Sequence, residues 1–332
     1  RDGWRFIDIY LIPYYNGEFT LKTLFSDPVH SQPIVAILQI INAEFFSLNM
    51  KYESYFGLFF IILTTFLVLK LIWNNLVEFR LIFKLILSLC VITILLSIGS
   101  IEKVTWSLLT LSYIPTFFVI LISIYFDKSI KEDVLINNKL YLFILLLILF
   151  LIQKDTGIII TGALIICLFI KYFFELRRYL LFVLGFLIVY ILFKLIIGYL
   201  DMTSFPETTM NPLTSAYIVF NNPLTFFHSL SLTFLSPLIN FEYVIDNKLL
   251  TSEQYIFLSY IPFILSMFIV YSFVKYKLYI KTSILPLIIF VYSLLFIIAV
   301  ILFRYPPIEQ NSIYLVSSLR YISVYELMIV SI

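Results

Sequence analysis

Apolar residues in this chain come in long blocks separated by short charged stretches, with no alternation of period two. Runs bounded by charge fall at Ser54–Ile72, Leu81–Ile98, Ser107–Phe126, Leu140–Ile152, Gly157–Phe174, Tyr179–Leu200, Tyr255–Val274 and Ser283–Phe303. A hydrocarbon core about 30 Å thick needs roughly 20 residues of helix, so most of these blocks predict transmembrane helices. The absence of alternation excludes the strands of a membrane barrel. Leu140–Ile152 is short and spans only if its helix runs into Lys139 or the bilayer thins locally. A segment from Tyr321 would be a ninth span, cut short at Ile332. The predicted fold class is therefore all-α: a polytopic transmembrane helix bundle of about eight full spans plus a partial one.

The connecting segments predict orientation, because short cytoplasmic loops retain Lys and Arg. Alternate junctions carry Lys70, Arg80 and Lys84; Lys128, Lys131 and Lys139; Lys171, Arg177 and Arg178; and Lys275, Lys277 and Lys281, which together are 12 of the 22 basic residues. The opposite, outer side then receives 1–53, 99–106, Gln153–Asp155, 201–254 and 304–320. The chain accordingly divides into an extracytoplasmic first loop, 1–53, and a transmembrane domain, 54–332, with a long outer loop at 201–254. Pro33–Asn49 is apolar but carries Gln39, Asn42 and Glu44, which favours an interfacial amphipathic helix over a span. Pro212–Leu238 is interrupted at Asn222-Pro223 and Ser236-Pro237 and reads as interfacial pieces too short to cross.

Composition sharpens the class. The 332 residues are 62% hydrophobic and 13% charged, against roughly 45–50% apolar and 25% charged in soluble domains. A net charge of +2 with dispersed basic residues gives no footprint for nucleic acid. Cys90 and Cys167 both sit inside apolar runs and imply neither a disulfide framework nor a metal site. No signal peptide or leading span precedes the polar, aromatic opening at Arg1, and Tyr321–Ile332 is too short to span, so the chain is expected to be part of a longer protein. Few glycines and abundant Ile, Phe, Lys and Asn point to a bacterial source and hence to the cytoplasmic membrane.

Candidate chemistry gathers on the predicted outer side in three places. The first loop carries Asp2, then Ser26-Asp27-Pro28-Val29-His30. A carboxylate beside an acidic, imidazole-bearing segment can deprotonate an acceptor hydroxyl or hold a cation against a leaving phosphate, and equally such residues are ordinary solvated loop positions. The turn Gln153-Lys154-Asp155-Thr156-Gly157 places a point charge where a lipid-linked phosphate would meet the membrane surface, and reads just as well as a charged hairpin cap. Arg304 and Arg320-Tyr321 flank the segment 304–320; a guanidinium suits phosphate, while Arg and Tyr are also common interfacial anchors. Lys194, close enough to the span end to snorkel, and His228, alone among aromatics, are read as structural.

The outer first loop with its early acidic residue, followed by Gln32-Pro33-Ile34-Val35-Ala36-Ile37-Leu38 and then Phe45-Phe46-Ser47-Leu48-Asn49 into Tyr52-Glu53-Ser54-Tyr55, resembles the GT-C superfamily of membrane glycosyltransferases. Protein O-mannosyltransferases and aminoarabinose transferases belong to it and use a sugar carried on a polyprenyl phosphate. The Ser317-Ser318-Leu319-Arg320-Tyr321 ending resembles a late arginine-tyrosine signature of such proteins, with Leu319 intervening. The chain departs from the family at Asp2-Gly3, where several members carry an Asp-Glu pair. The resemblance implies a glycosyltransferase taking a polyprenyl-phosphate-linked sugar and a glycan, lipid or protein acceptor outside the membrane. In that reading Asp2 is base or ligand of a divalent cation, Asp27 and His30 line the acceptor side, and Lys154, Asp155, Arg304, Arg320 and Tyr321 hold the donor phosphate. A transporter or flippase of lipid-linked or anionic substrates, and an envelope glycan polymerase or ligase, are the competing readings.

Overall fold

The structure is a computed structural model that describes residues 7–25, 32–75, 79–96, 111, 113–131, 136–199, 217, 220–237, 239, 241–276, 283–316 and 322–331. All regular structure among the described residues is helical. In chain order the helices are α1 (Ile12–Tyr15, entered through a π-turn at Ile7–Leu11), α2 (Leu21–Leu24), α3 (Pro33–Phe46), α4 (Met50–Asn75), α5 (Leu81–Leu95), α6 (Tyr113–Lys131) and α7 (Ile136–Ile152). They continue with α8 (Lys154–Tyr172), α9 (Leu176–Tyr199), α10 (Pro223–Thr233), α11 (Phe241–Asp246), α12 (Ser252–Lys275), α13 (Ile284–Val316) and α14 (Ile322–Val330).

Five of these contain segments long and apolar enough to cross a bilayer: Met50–Asn74, Tyr113–Lys131, Lys154–Tyr172, Arg177–Ile197 and Ile284–Leu302. The chain is an all-α membrane-embedded helical protein. Several predicted boundaries shift. α7 does run through Lys139, as a span there requires, and reaches 17 residues. α5 ends at Leu95 after 15 residues, and α6 begins at Tyr113 rather than at Ser107, which lies outside the described residues. The largest correction is at the predicted loop 304–320: α13 is one helix of 33 residues, so 304–316 continue it instead of leaving it. The charge of Arg304 ends the apolar run and sets the predicted loop there, whereas the helix continues past it and through Pro306 and Pro307, which helices of membrane proteins accommodate.

By contacts the chain forms two compact units, Arg1–Phe60 with Val104–Thr208, and Ile61–Lys103 with Thr209–Ile332. In the first, α7 packs on α6, α8 and α9, and α8 packs on α9, giving a helix bundle whose core includes Phe126, Leu146, Phe150, Leu164 and Phe186, none with any exposure. Two glycines permit the close approaches. A Cβ on Gly157 would lie 2.7 Å from the Phe150 ring, and one on Gly185 would overlap Phe143. Small residues are what allow membrane helices to approach this closely. At one end of this bundle Lys131 pairs with Asp127 at 2.7 Å, Lys171 lies within range of both charges, and Lys139 sits 5.4 Å over the Phe182 ring. Basic and aromatic side chains thus gather at this end of the bundle, the composition of a membrane–water boundary. On α9 Leu181, Ile188 and Leu195 recur every seventh residue and are 74%, 56% and 63% exposed, a stripe suited to lipid and not to water.

In the second unit α10 packs on α12 and α13, α13 on α14, and α14 on α5, around Ile297, Ile301, Tyr325 and Met328. α10 has 11 residues, too short to cross, in keeping with interfacial pieces in that stretch. Trp73 donates its indole N–H to Ser88 Oγ at 2.8 Å, with Lys84 5.9 Å over its ring, and so ties α4 to α5.

Candidate functional site

The start of α8 is built by a change of backbone direction after α7. Gln153 is extended (φ −154°, ψ 104°) and gives the helix no side-chain cap, because its Oε1 instead accepts from Thr156 Oγ1 at 2.9 Å. Uncapped N–H groups carry the positive end of the helix dipole, and anions favour that position. Lys154 follows at the first helical position, half-buried, within the electrostatic reach of exposed Asp155 and of exposed Lys194 on α9. Two ammonium groups, one carboxylate and an uncapped helix end therefore share this end of the bundle. Asp155 in the first turn also complements the dipole, which is the structural use of a helix-start acid.

The first segment of the chain packs at the same end. Tyr10, Val35 and Ala36 form one buried cluster with Leu111, Ile114 and Ile152, and Ile152 immediately precedes the Gln153-Lys154 turn. α3 is thus laid against the end of the α6–α8 bundle that carries Lys154. Its 14 residues cover only about 21 Å, so it does not cross. Two of its three polar residues are, however, turned the wrong way for an interfacial helix: Gln39 and Asn42 are each 4% exposed, while Glu44, Ile37, Ile41 and Phe45 are exposed. The correction has a physical basis, since lipid accepts the apolar face and the amides need partners inside.

One such partner is Glu53 in the first turn of α4. Asn42 Nδ2 donates to Glu53 Oε1 at 2.7 Å, and both side chains are buried. The geometry depends on the turn between the helices. Ser47 and Leu48 both adopt the left-handed conformation (φ 53° and 55°), and the Asn42 carbonyl accepts the N–H groups of both. Asn49 Oδ1 then caps α4 by accepting from the Lys51 N–H at 3.1 Å.

Of the sequence-predicted site residues, Lys154 and Asp155 lie together at the α8 start. Asp2, Asp27, His30, Arg320 and Tyr321 lie outside the described residues, and Arg304 falls within α13 with its side chain outside them. Sequence reasoning passed over Lys194, taken as a snorkelling charge, and Gln39, Asn42 and Glu53. The available signal was Gln39 and Asn42 at a spacing of three, hence on one helix face, followed by a lone acid at the head of an apolar run. In the second unit His228 Nδ1 hydrogen-bonds Ser259 Oγ, whose hydroxyl also donates to Ile256 O at 2.6 Å, and the imidazole stands edge-on to Tyr260. Burial holds this imidazole below its usual pKa. No group of three or more His, Cys, Asp or Glu side chains placed to hold a metal occurs among the described residues.

Comparison with family models, with curated proteins and with solved structures finds no match to this chain.

Proposed function

We propose that the chain is a membrane glycosyltransferase that moves a sugar from a polyprenyl-phosphate donor to an acceptor on the extracytoplasmic face of the bacterial cytoplasmic membrane. The observation that carries the reading is the half-buried Lys154 at the uncapped start of α8, with the charge of Lys194 in range. A lipid-linked phosphate is an anion held where apolar tail meets polar head, and this end of the bundle offers it two cations and a helix N-terminus at that boundary. When the glycosidic bond to phosphate breaks, negative charge grows on the departing group, and fixed cations in a partly dehydrated site stabilise it. Asp155 orients Lys154. Asp2 as base or cation ligand, Asp27 and His30 on the acceptor side, and Arg304, Arg320 and Tyr321 on the phosphate enter from the sequence resemblance alone.

The test is transfer of radiolabelled sugar from a polyprenyl-phosphate donor by the chain in proteoliposomes, comparing Lys154→Ala with the parent. Loss of transfer with retained helicity supports the reading; unchanged transfer removes Lys154 from it. One observation favours a second reading as transporter or flippase of lipid-linked anions: Gln39, Asn42 and Glu53 are polar groups buried at α3 and the head of α4, and buried polar groups in membrane proteins often mark transport pathways. Movement of intact donor between leaflets without release of sugar would select it.

A further inference from the structure

We propose that the end of the first unit where α7 begins, α8 ends and α9 begins is a binding site for the headgroup of one anionic glycerophospholipid of the surrounding bilayer. Cations from three helices are gathered there along one chain of rings. Lys139 in the first turn of α7 stands 5.4 Å over the Phe182 ring of α9, Lys171 in the last turn of α8 lies 6.0 Å from the Tyr172 ring, and Arg178 in the first turn of α9 lies 5.9 Å from the Tyr179 ring. The rings join across the helices: the Tyr172 and Tyr179 centroids are 4.6 Å apart, and Tyr179 is 6.4 Å from Phe182. A lysine that only anchors its own helix extends along it to water, whereas Lys139 reaches a ring on a neighbouring helix. A cation drawn to an aromatic face gives up part of its side-chain freedom before any ligand arrives, which lowers the cost of binding.

Charge and hydropathy together decide the occupant. The segments 127–139 and 171–178, which bound this end, carry six basic and four acidic residues, so positive charge is left over even if every acid takes a cation. Basic clusters where helices meet the headgroup region attract anionic lipids. A zwitterionic lipid would bring a further cation to a surplus of cations. The surface beside the charges is apolar: Leu140, Tyr141 and Phe173 are exposed, and Leu181, three residues beyond Arg178 and so on a neighbouring part of the same face, begins the exposed stripe that continues through Ile188 and Leu195. An anion carrying acyl chains matches both the cations and the stripe. Free phosphate matches the cations alone, and an acidic protein segment laid along that stripe would sit in hydrocarbon.

The inference does not depend on glycosyl transfer, and its test reads lipid binding instead. The full chain is reconstituted in nanodiscs of mixed phosphatidylcholine and phosphatidylglycerol, released into mild detergent, and its retained lipids are counted by native mass spectrometry; phosphatidylglycerol is then titrated back onto the delipidated chain. The expected result is one phosphatidylglycerol retained per chain in preference to phosphatidylcholine. Lys139→Gln, Lys171→Gln and Arg178→Gln each weaken its binding about tenfold, as the loss of one charge-assisted contact would. Lys248→Gln, an exposed lysine of the second unit, makes the same change in net charge and leaves binding as it was. Equal retention of the two lipids overturns the site, and so does an equal loss from Lys248→Gln, which would assign the preference to overall charge. Full displacement of the lipid by inorganic phosphate at matched concentration overturns the phospholipid as its ligand. Should Lys171→Gln fail to fold, full affinity in the exposed Arg178→Gln variant overturns the location.

Discussion

In the first unit the buried polar side chains include Gln39, Asn42 and Glu53, of which Asn42 and Glu53 join one helix to another; in the second several are hydroxyls that return to their own helix. Thr65 donates to Ile61 O, Thr233 to Leu230 O and Ser259 to Ile256 O, each three or four residues back. A hydroxyl in a lipid-facing helix can be satisfied this way at small cost and says little about function. An amide or carboxylate cannot, because it carries more groups than the preceding turn can meet. Its burial therefore requires a tertiary partner or a ligand. Among the described residues, Glu326 of α14, 1% exposed, is the second unit's exception and marks where that unit should be probed next.

The comparison breaks or sharpens under substitution. Lys154→Ala should lower sugar transfer on the order of 10²- to 10³-fold, the usual cost of removing one group that stabilises growing charge, while Ser259→Ala in the second unit leaves the rate within about threefold. A loss of similar size from Ser259→Ala would move the chemistry to the second unit. Asn42→Ala, which removes a hydrogen bond to a buried carboxylate, should cost about 2–3 kcal/mol in thermal melts of the reconstituted chain. Gly157→Ala forces a methyl into the Phe150 ring and should cost about 1–3 kcal/mol by the same measurement.

How far the sequence carries is itself uneven between the two units. The helices, the basic girdle of Lys131, Lys139 and Lys171, and the short α3 were all legible, because apolar runs and charge placement fix them. The direction of α3 was not. Its Gln and Asn predict a solvent-facing side under the rule for water-soluble surfaces, and the rule reverses when the surroundings are hydrocarbon. The length of α13 differs from the predicted span because charge at Arg304 ends the apolar run but not the helix, which continues to Val316. Lys154 was legible as a candidate, whereas Lys194 was not, since only the packing of α8 on α9 brings the two charges within range.

Two smaller effects complete the comparison. Leu48→Gly relieves a left-handed residue bearing a side chain and should raise stability by about 0.5–1 kcal/mol, read as an upward shift in melting temperature. A decrease would mean that the Leu48 side chain contributes more than its backbone costs. Thr65→Val, which deletes a hydroxyl bonded only to its own helix, should change stability by less than ~0.5 kcal/mol, and a larger loss would contradict the distinction between self-satisfied and cross-helix polar groups.

The reversed face of α3 bears on the order in which the chain is assembled. A helix of this length does not satisfy the requirement for threading across the bilayer, and its amides have no use for lipid. Its inward residues find their surroundings only when α4, α6 and α7 are already in place, the last two of which are synthesised well after it. α3 therefore waits at the membrane surface during synthesis and settles late. A chain released before α7 is complete would leave Val35 and Ala36 without Ile152 beside them, which makes this short helix a natural point for quality control to distinguish finished from unfinished protein.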